Sequence, residues 1–150
     1  MDLKQRTKLA SKKRVKYDDP GHGWMKVSIK DLELLGILDK ITGFSYQRGE
    51  NVYLEEDADV STFFNAVAGE DDPDGLCEVL RNNTTVKHTN NTSRIRGYSK
   101  YEFVSPEEKP ELEKVRAAVL EERNWNAAGI KTIKNAGKSD LLYWKELYNL

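Results

Sequence analysis

The sequence predicts an α+β fold, a small and mostly antiparallel sheet with two packed helices, followed by a helical C-terminal extension. Three observations carry this. Short aromatic or β-branched runs alternate with clusters of turn-forming residues up to Val104. Apolar residues at three-four spacing interrupt them between Val60 and Val67. After Ser105 the pattern becomes helical throughout. At 150 residues, 38% hydrophobic and 33% charged, the chain suits one compact core with some length left for arms or surface helices. Three segments follow: a basic N-terminal arm over residues 1–13, an α+β domain over 14–104 and a helical extension over 105–150.

Residues 1–16 hold Lys4, Arg6, Lys8, Lys12, Lys13, Arg14 and Lys16 against Asp2 alone, with few apolar residues for anchorage. Arg14 to Tyr17 alternates as a first strand. Asp18 to Gly23 then supplies turn-forming residues, and Trp24 to Val27 reads as a second strand. Ser28 and Asp31 have capping spacing for a short helix with Ile29, Leu32 and Leu35 on one face, ending at Gly36. Phe44 to Gln47 and Val52 to Leu54 flank Arg48-Gly49-Glu50-Asn51, a hairpin signature. Asp57 or Asp59 is placed to cap a helix carrying Val60, Phe63, Phe64 and Val67, which Gly69 ends.

Leu76 to Leu80 fits a helical turn or a strand equally well, whereas Thr84 to His88 and Tyr98 to Val104 have strand composition. Ser105 and Pro106 open a helix with Leu112, Val115, Ala118 and Val119 on one face. Ile130 and Ile133 belong to a second helix, and Ser139 is placed to cap a third with Leu141, Tyr143, Trp144, Leu147 and Tyr148.

Three blocks in one order are distinctive: Asp18-Asp19-Pro20-Gly21-His22-Gly23-Trp24-Met25-Lys26-Val27, Phe44-Ser45-Tyr46-Gln47-Arg48-Gly49, and Val52-Tyr53-Leu54-Glu55-Glu56-Asp57-Ala58-Asp59. With Ile95-Arg96-Gly97-Tyr98 and Lys100-Tyr101-Glu102, they resemble a family of small phage and prophage proteins without an assigned activity. The resemblance covers residues 14–104. It implies a phage or mobile-element setting and transfers no catalytic residue. Residues 105–150 and the acidic turn around Asp72 lie outside it.

Charge lies in blocks although the formal net is -1. No basic residue occurs between Gly49 and Leu80, where Glu50, Glu55, Glu56, Asp57, Asp59, Glu70, Asp71, Asp72, Asp74 and Glu78 accumulate. Such blocks suit a phosphate-binding arm, an acidic face that imitates phosphate, or an arm folded back on that face. The leading expectation is a phage or mobile-element accessory protein that binds, and by doing so inhibits, a host protein such as a defence nuclease or a transcription component. Glu70, Asp71, Asp72 and Asp74 with Tyr143, Trp144, Leu147 and Tyr148 would form the contact. The alternative is nucleic-acid binding through Lys12, Lys13, Arg14, Arg94 and Arg96, helped by the basic and aromatic residues between Arg81 and Tyr101. A homo-oligomer is compatible with either.

An enzyme centred on His22 is the weaker alternative. Asp18 or Asp19 would orient the imidazole for general-base work, but the simpler reading has His22 bonding a backbone carbonyl while Trp24 seats the loop. No cofactor and no metal are expected. Asp57-x-Asp59-x-Ser61 imitates a calcium loop, yet its sixth position is Thr62 and its twelfth Ala68, where glycine and glutamate are required. Cys77 lacks a disulfide partner, and its acidic neighbours oppose a thiolate. No apolar run reaches the roughly 20 residues of a membrane span, and the N-terminus lacks an apolar leader, so no membrane partner and a cytoplasmic location in a bacterial host are expected.

Overall fold

The computed structural model describes residues 1–122 and 124–150. A six-stranded sheet has the order β5-β1-β2-β4-β3-β6, with β1 Arg14–Asp18, β2 Gly23–Ser28, β3 Tyr46–Arg48, β4 Asn51–Glu55, β5 Thr84–His88 and β6 Ser99–Lys100. β5 runs parallel to β1, and every other neighbouring pair is antiparallel. The β3–β4 hairpin turns on Gly49, whose φ of 57° only glycine adopts without strain.

The strands' period of two separates two unlike faces. Met25 and Val27 of β2 and Val52 and Leu54 of β4 point toward a layer of four helices: α1 Leu3–Ala10, α2 Ile29–Leu34, α3 Val60–Ala68 and α4 Leu76–Asn82. Leu9, Leu32, Phe63, Val67, Leu76 and Leu80 complete that core. Trp24 and Tyr53 emerge on the opposite face and cluster with Ile95, Tyr17, Tyr46 and Tyr98.

Several expectations change in this frame. Residues 1–13 are not a loose arm, because Asp2 and Gln5 form a capping box that starts α1, and Leu9 and Ala10 are buried. Arg6 donates to the Ala68 carbonyl at 2.8 Å and pairs with Asp74 at 3.5 Å. The helical layer thus has two more helices than the two expected. Leu76 to Leu80 is helical, and the Tyr98 to Val104 strand shrinks to Ser99–Lys100. Asp59 does not cap α3; its buried carboxylate accepts from the Thr42 amide and hydroxyl and from Ser45 Oγ.

The extension forms α5 Lys109–Glu122, α6 Ala127–Asn135 and α7 Lys138–Leu147 around a separate core of Leu112, Val115, Val119, Ile133, Ala136 and Leu141. Gly137, not Ser139, precedes α7, and its amide donates to Asp140. Ser139 instead donates to Glu102 through its amide and hydroxyl, while Ser99 Oγ donates to Asp140 Oδ2 at 2.7 Å, which docks α7 beside the β6 edge. No helix among the described residues is long and apolar enough to cross a membrane.

Candidate functional site

The turn between β1 and β2 is organised by one carboxylate. Asp19 Oδ1 accepts from the Gly21 and His22 amides at 2.9 and 3.0 Å, the local bonding that Asp favours in turns. Its two oxygens also take Arg96 Nη2 and Nε at 2.8 and 2.7 Å, and Oδ2 accepts from the Ser93 amide at 3.0 Å. The Arg96 guanidinium holds the Asp19 carboxyl well below the usual carboxylate range. At Gly21 a Cβ would stand 2.8 Å from Arg96 Nη2, so glycine lets the guanidinium lie against the turn.

His22 Nδ1 lies 3.1 Å from Glu55 Oε1 on β4, so neither Asp18 nor Asp19 nor a backbone carbonyl is its partner. Glu55 Oε2 accepts from the Asp57 and Ala58 amides, both at 2.9 Å, which immobilises the carboxylate. With Nδ1 turned to the Glu55 carboxylate, Nε2 is the ring nitrogen left without that contact. The His22 side chain is 48% exposed. Ligand atoms of His22, Glu55 and Asp57 all lie within 4.8 Å of one another, close enough to share a cation. Both Glu55 oxygens are already engaged there. As expected, Trp24 seats the loop, at 2% exposure, although its Nε1 is buried without a partner among the described residues.

Strand register extends this corner into a surface. Lys87, Tyr17, Trp24 and Glu55 align across β5, β1, β2 and β4, and Lys26, Tyr53, Tyr46 and Lys100 align across β2, β4, β3 and β6. At a strand spacing of about 4.8 Å each row spans roughly 14 Å. The rings form contacts from Tyr17 to Tyr53 to Tyr98, with centroids 6.3 and 5.1 Å apart, and from Trp24 to Tyr46 at 6.1 Å. Arg96 lies 5.0 Å over Trp24, Arg48 4.8 Å over Tyr98 and Lys100 Nζ 4.0 Å over Tyr46. Burial, with Tyr98 and Tyr17 adding, pushes the Tyr53 hydroxyl up to about 12.

Lys26, Arg48, Lys87 and Lys100 form no ion pair with any described residue, and their charge stays on the face; Arg94, in the turn after β5, is exposed and likewise unpaired among the described residues. The basic set read from sequence is dispersed instead. Lys12 Nζ and Arg14 Nη2 reach Asp31 at 2.5 and 3.4 Å, Arg14 is buried over Phe63, and Lys13 is exposed. Arg14 therefore lies on the helical side and Arg96 on the aromatic side. Tyr101 is also on the helical side, donating to the Leu38 carbonyl at 2.7 Å.

In the acidic turn, Asp72 accepts from the Leu76 and Cys77 amides at 2.7 and 3.1 Å and so starts α4, while Glu70 and Asp71 are exposed. Burial, then Asp72, pushes the Cys77 thiol up. On α7, Trp144 and Tyr148 pack on the extension's core, but Tyr143 and Leu147 remain 61% and 57% exposed. Turn and α7 residues are thus divided between structural contacts and open surface.

Sequence reasoning missed Arg48, Lys26 and the tyrosines of β1, β3 and β4, and did not pair Glu55 with His22. The signal was present for Tyr46 and Tyr53, since a two-residue turn at Gly49-Glu50 places them opposite each other. Comparison of the chain with protein-family models, curated proteins and solved structures finds no match to any of them.

Proposed function

We propose that the protein binds single-stranded nucleic acid across the aromatic, basic face of its sheet, in the phage or mobile-element setting that its loop motifs imply. One observation carries the reading: cations without acidic partners are interleaved with tyrosines on one sheet face. Phosphates answer the cations, and bases answer the rings without regard to sequence. Half-burial of Tyr17, Tyr46 and Tyr98 leaves each residue partly open to solvent while its packing fixes the platform in advance. A sheet face suits an unpaired strand better than a duplex, whose major groove takes a helix or a two-stranded ribbon.

The test is fluorescence anisotropy with short single-stranded DNA and RNA oligonucleotides over a salt series. Combined Arg48→Ala and Lys100→Ala replacements weaken binding by about tenfold or more, and Tyr46→Ala costs about 1–3 kcal/mol if it stacks a base. Binding that ignores salt, or is equal in the double variant, would sink the reading.

A second reading, capture and inhibition of a host protein, draws on the exposed Tyr143 and Leu147 of α7 together with Glu70 and Asp71 of the acidic turn. It predicts a partner retained from nuclease-treated bacterial lysate that is lost on Tyr143→Ser with Leu147→Ser. Retention by that variant counts against it.

A further inference from the structure

We propose that this face also cleaves RNA, with His22 as the general base that activates the substrate's own 2′-hydroxyl. The inference rests on the nucleic-acid reading above. RNA transesterification requires no nucleophile from the protein, which suits a corner that offers a base and a cation but no activated serine or cysteine. His22 supplies the base. Its Nδ1 is held at 3.1 Å by Glu55, a carboxylate fixed by two amides, so Nε2 is the nitrogen left to take a proton.

The other parts surround Trp24. The His22 and Trp24 ring centroids are 6.1 Å apart, and the Arg96 guanidinium stands 5.0 Å over the same indole. Arg96 is oriented by Asp19 through Nε and Nη2, leaving Nη1 for a phosphate oxygen. Tyr46, 6.1 Å beyond Trp24, begins the row that would hold the flanking nucleotides, with Lys100 above it. The base and the phosphate cation thus lie at one end of the proposed strand-binding face.

In the step, the 2′-hydroxyl proton passes to His22 Nε2 as the 2′-oxygen attacks the adjacent phosphorus. The bond from phosphorus to the 5′-oxygen breaks, and that oxygen leaves with a proton returned by the imidazolium or by water. Nothing is oxidised or reduced. The products are a 2′,3′-cyclic phosphate and a 5′-hydroxyl. Arg96 stabilises charge on the phosphate oxygens, and Glu55 is a positioning residue acting through His22.

The experiment uses the full chain with an end-labelled RNA, its 2′-O-methyl analogue and the same sequence as DNA. The expected result is binding of all three and cutting of RNA alone, leaving cyclic phosphate ends. His22→Asn keeps a donor for Glu55 but removes the base; it should cut about a hundredfold or more slowly. Added imidazole should restore part of the rate in His22→Ala. Glu55→Gln should lower kcat with little change in KM, which a merely structural contact would not do. RNA bound but left intact overturns this inference while leaving the binding function standing, and failure to bind any of the three overturns both. Cutting that is unchanged in His22→Asn and His22→Ala also overturns it, since the activity would then belong elsewhere.

Discussion

Replacing Arg14 with alanine asks whether the N-terminal cations belong to the fold or to a ligand. The Arg14 and Asp31 side chains are 4% and 6% exposed, and their charged atoms lie 3.4 Å apart. Burial lowers the Arg14 pKa while Asp31 raises it, with burial the larger influence, so the partner does not fully offset the lost hydration. Removing one member of such a pair typically costs about 3–5 kcal/mol, because the other charge is left desolvated. In Arg14→Ala, Asp31 still has Lys12 Nζ at 2.5 Å on its other oxygen, a lysine 46% exposed, which places the loss near about 3 kcal/mol. In Asp31→Ala, Arg14 keeps only the Lys12 carbonyl at 3.0 Å and the Phe63 ring at 5.0 Å, which places the loss nearer about 5 kcal/mol. Replacing both together, Arg14→Met with Asp31→Leu, should stay within about 1 kcal/mol of the parent, since two apolar side chains need no partner. Urea unfolding at neutral pH measures all three. A loss below about 1 kcal/mol in both single variants, or a double loss equal to the sum of the singles, would refute the buried-pair account.

Three further outcomes follow from the same contacts. The Asp19 pKa is depressed on folding, so its contribution to stability is present above the unfolded carboxyl range near pH 4 and is lost as pH falls through the folded value. Acid unfolding curves of the parent should therefore be steeper below about pH 4 than those of Asp19→Asn, and parallel curves would remove Arg96 as the cause. Leu141→Ala, at a fully buried site in the extension's core, should cost about 2–5 kcal/mol by thermal or urea unfolding. Gly69→Ala should also destabilise, by about 1 kcal/mol or more, since its φ is 82° and a Cβ would stand 2.8 Å from Arg6 Nη1.

The legible parts of the molecule are those decided by neighbours in sequence. Ser28 caps α2 through the Asp31 amide, Gly36 ends that segment at a positive φ, and the Arg48 to Asn51 hairpin forms where its turn chemistry indicates. The pairing of β5 with β1 depends on residues some seventy positions apart, and no local spacing encodes it. The same holds for the N-terminus, where Leu9 and Ala10 look too few to anchor a segment until α3 and α4 supply the surface that buries them. At the site, the loop made His22 and Trp24 stand out, whereas the partner that orients His22 comes from β4, across the sheet register. In the acidic turn the same holds in part: Asp72 reads as surface charge but starts α4, and Asp74, although exposed, also reaches Arg6.

A pI near 6.2 would ordinarily weigh against a phosphate-binding surface, but it averages over faces that the sheet keeps apart. Arg6, Lys12 and Arg14 pair with Asp74 and Asp31 on the helical side, where Asp72 also starts α4. On the other side Lys26, Arg48, Lys87 and Lys100 have rings and solvent around them instead of carboxylates. Their number sets a measurable slope. Each phosphate neutralised on a single strand contributes about -0.7 to the dependence of log affinity on log salt, so four cations predict a slope of roughly -3. Reversing only Lys13 to glutamate should leave that slope nearly unchanged, whereas Lys26→Ala with Lys87→Ala should reduce it by about half. The opposite pattern would move the proposed phosphate contact from the sheet to the segment between α1 and β1, and the aromatic rows would then need another explanation.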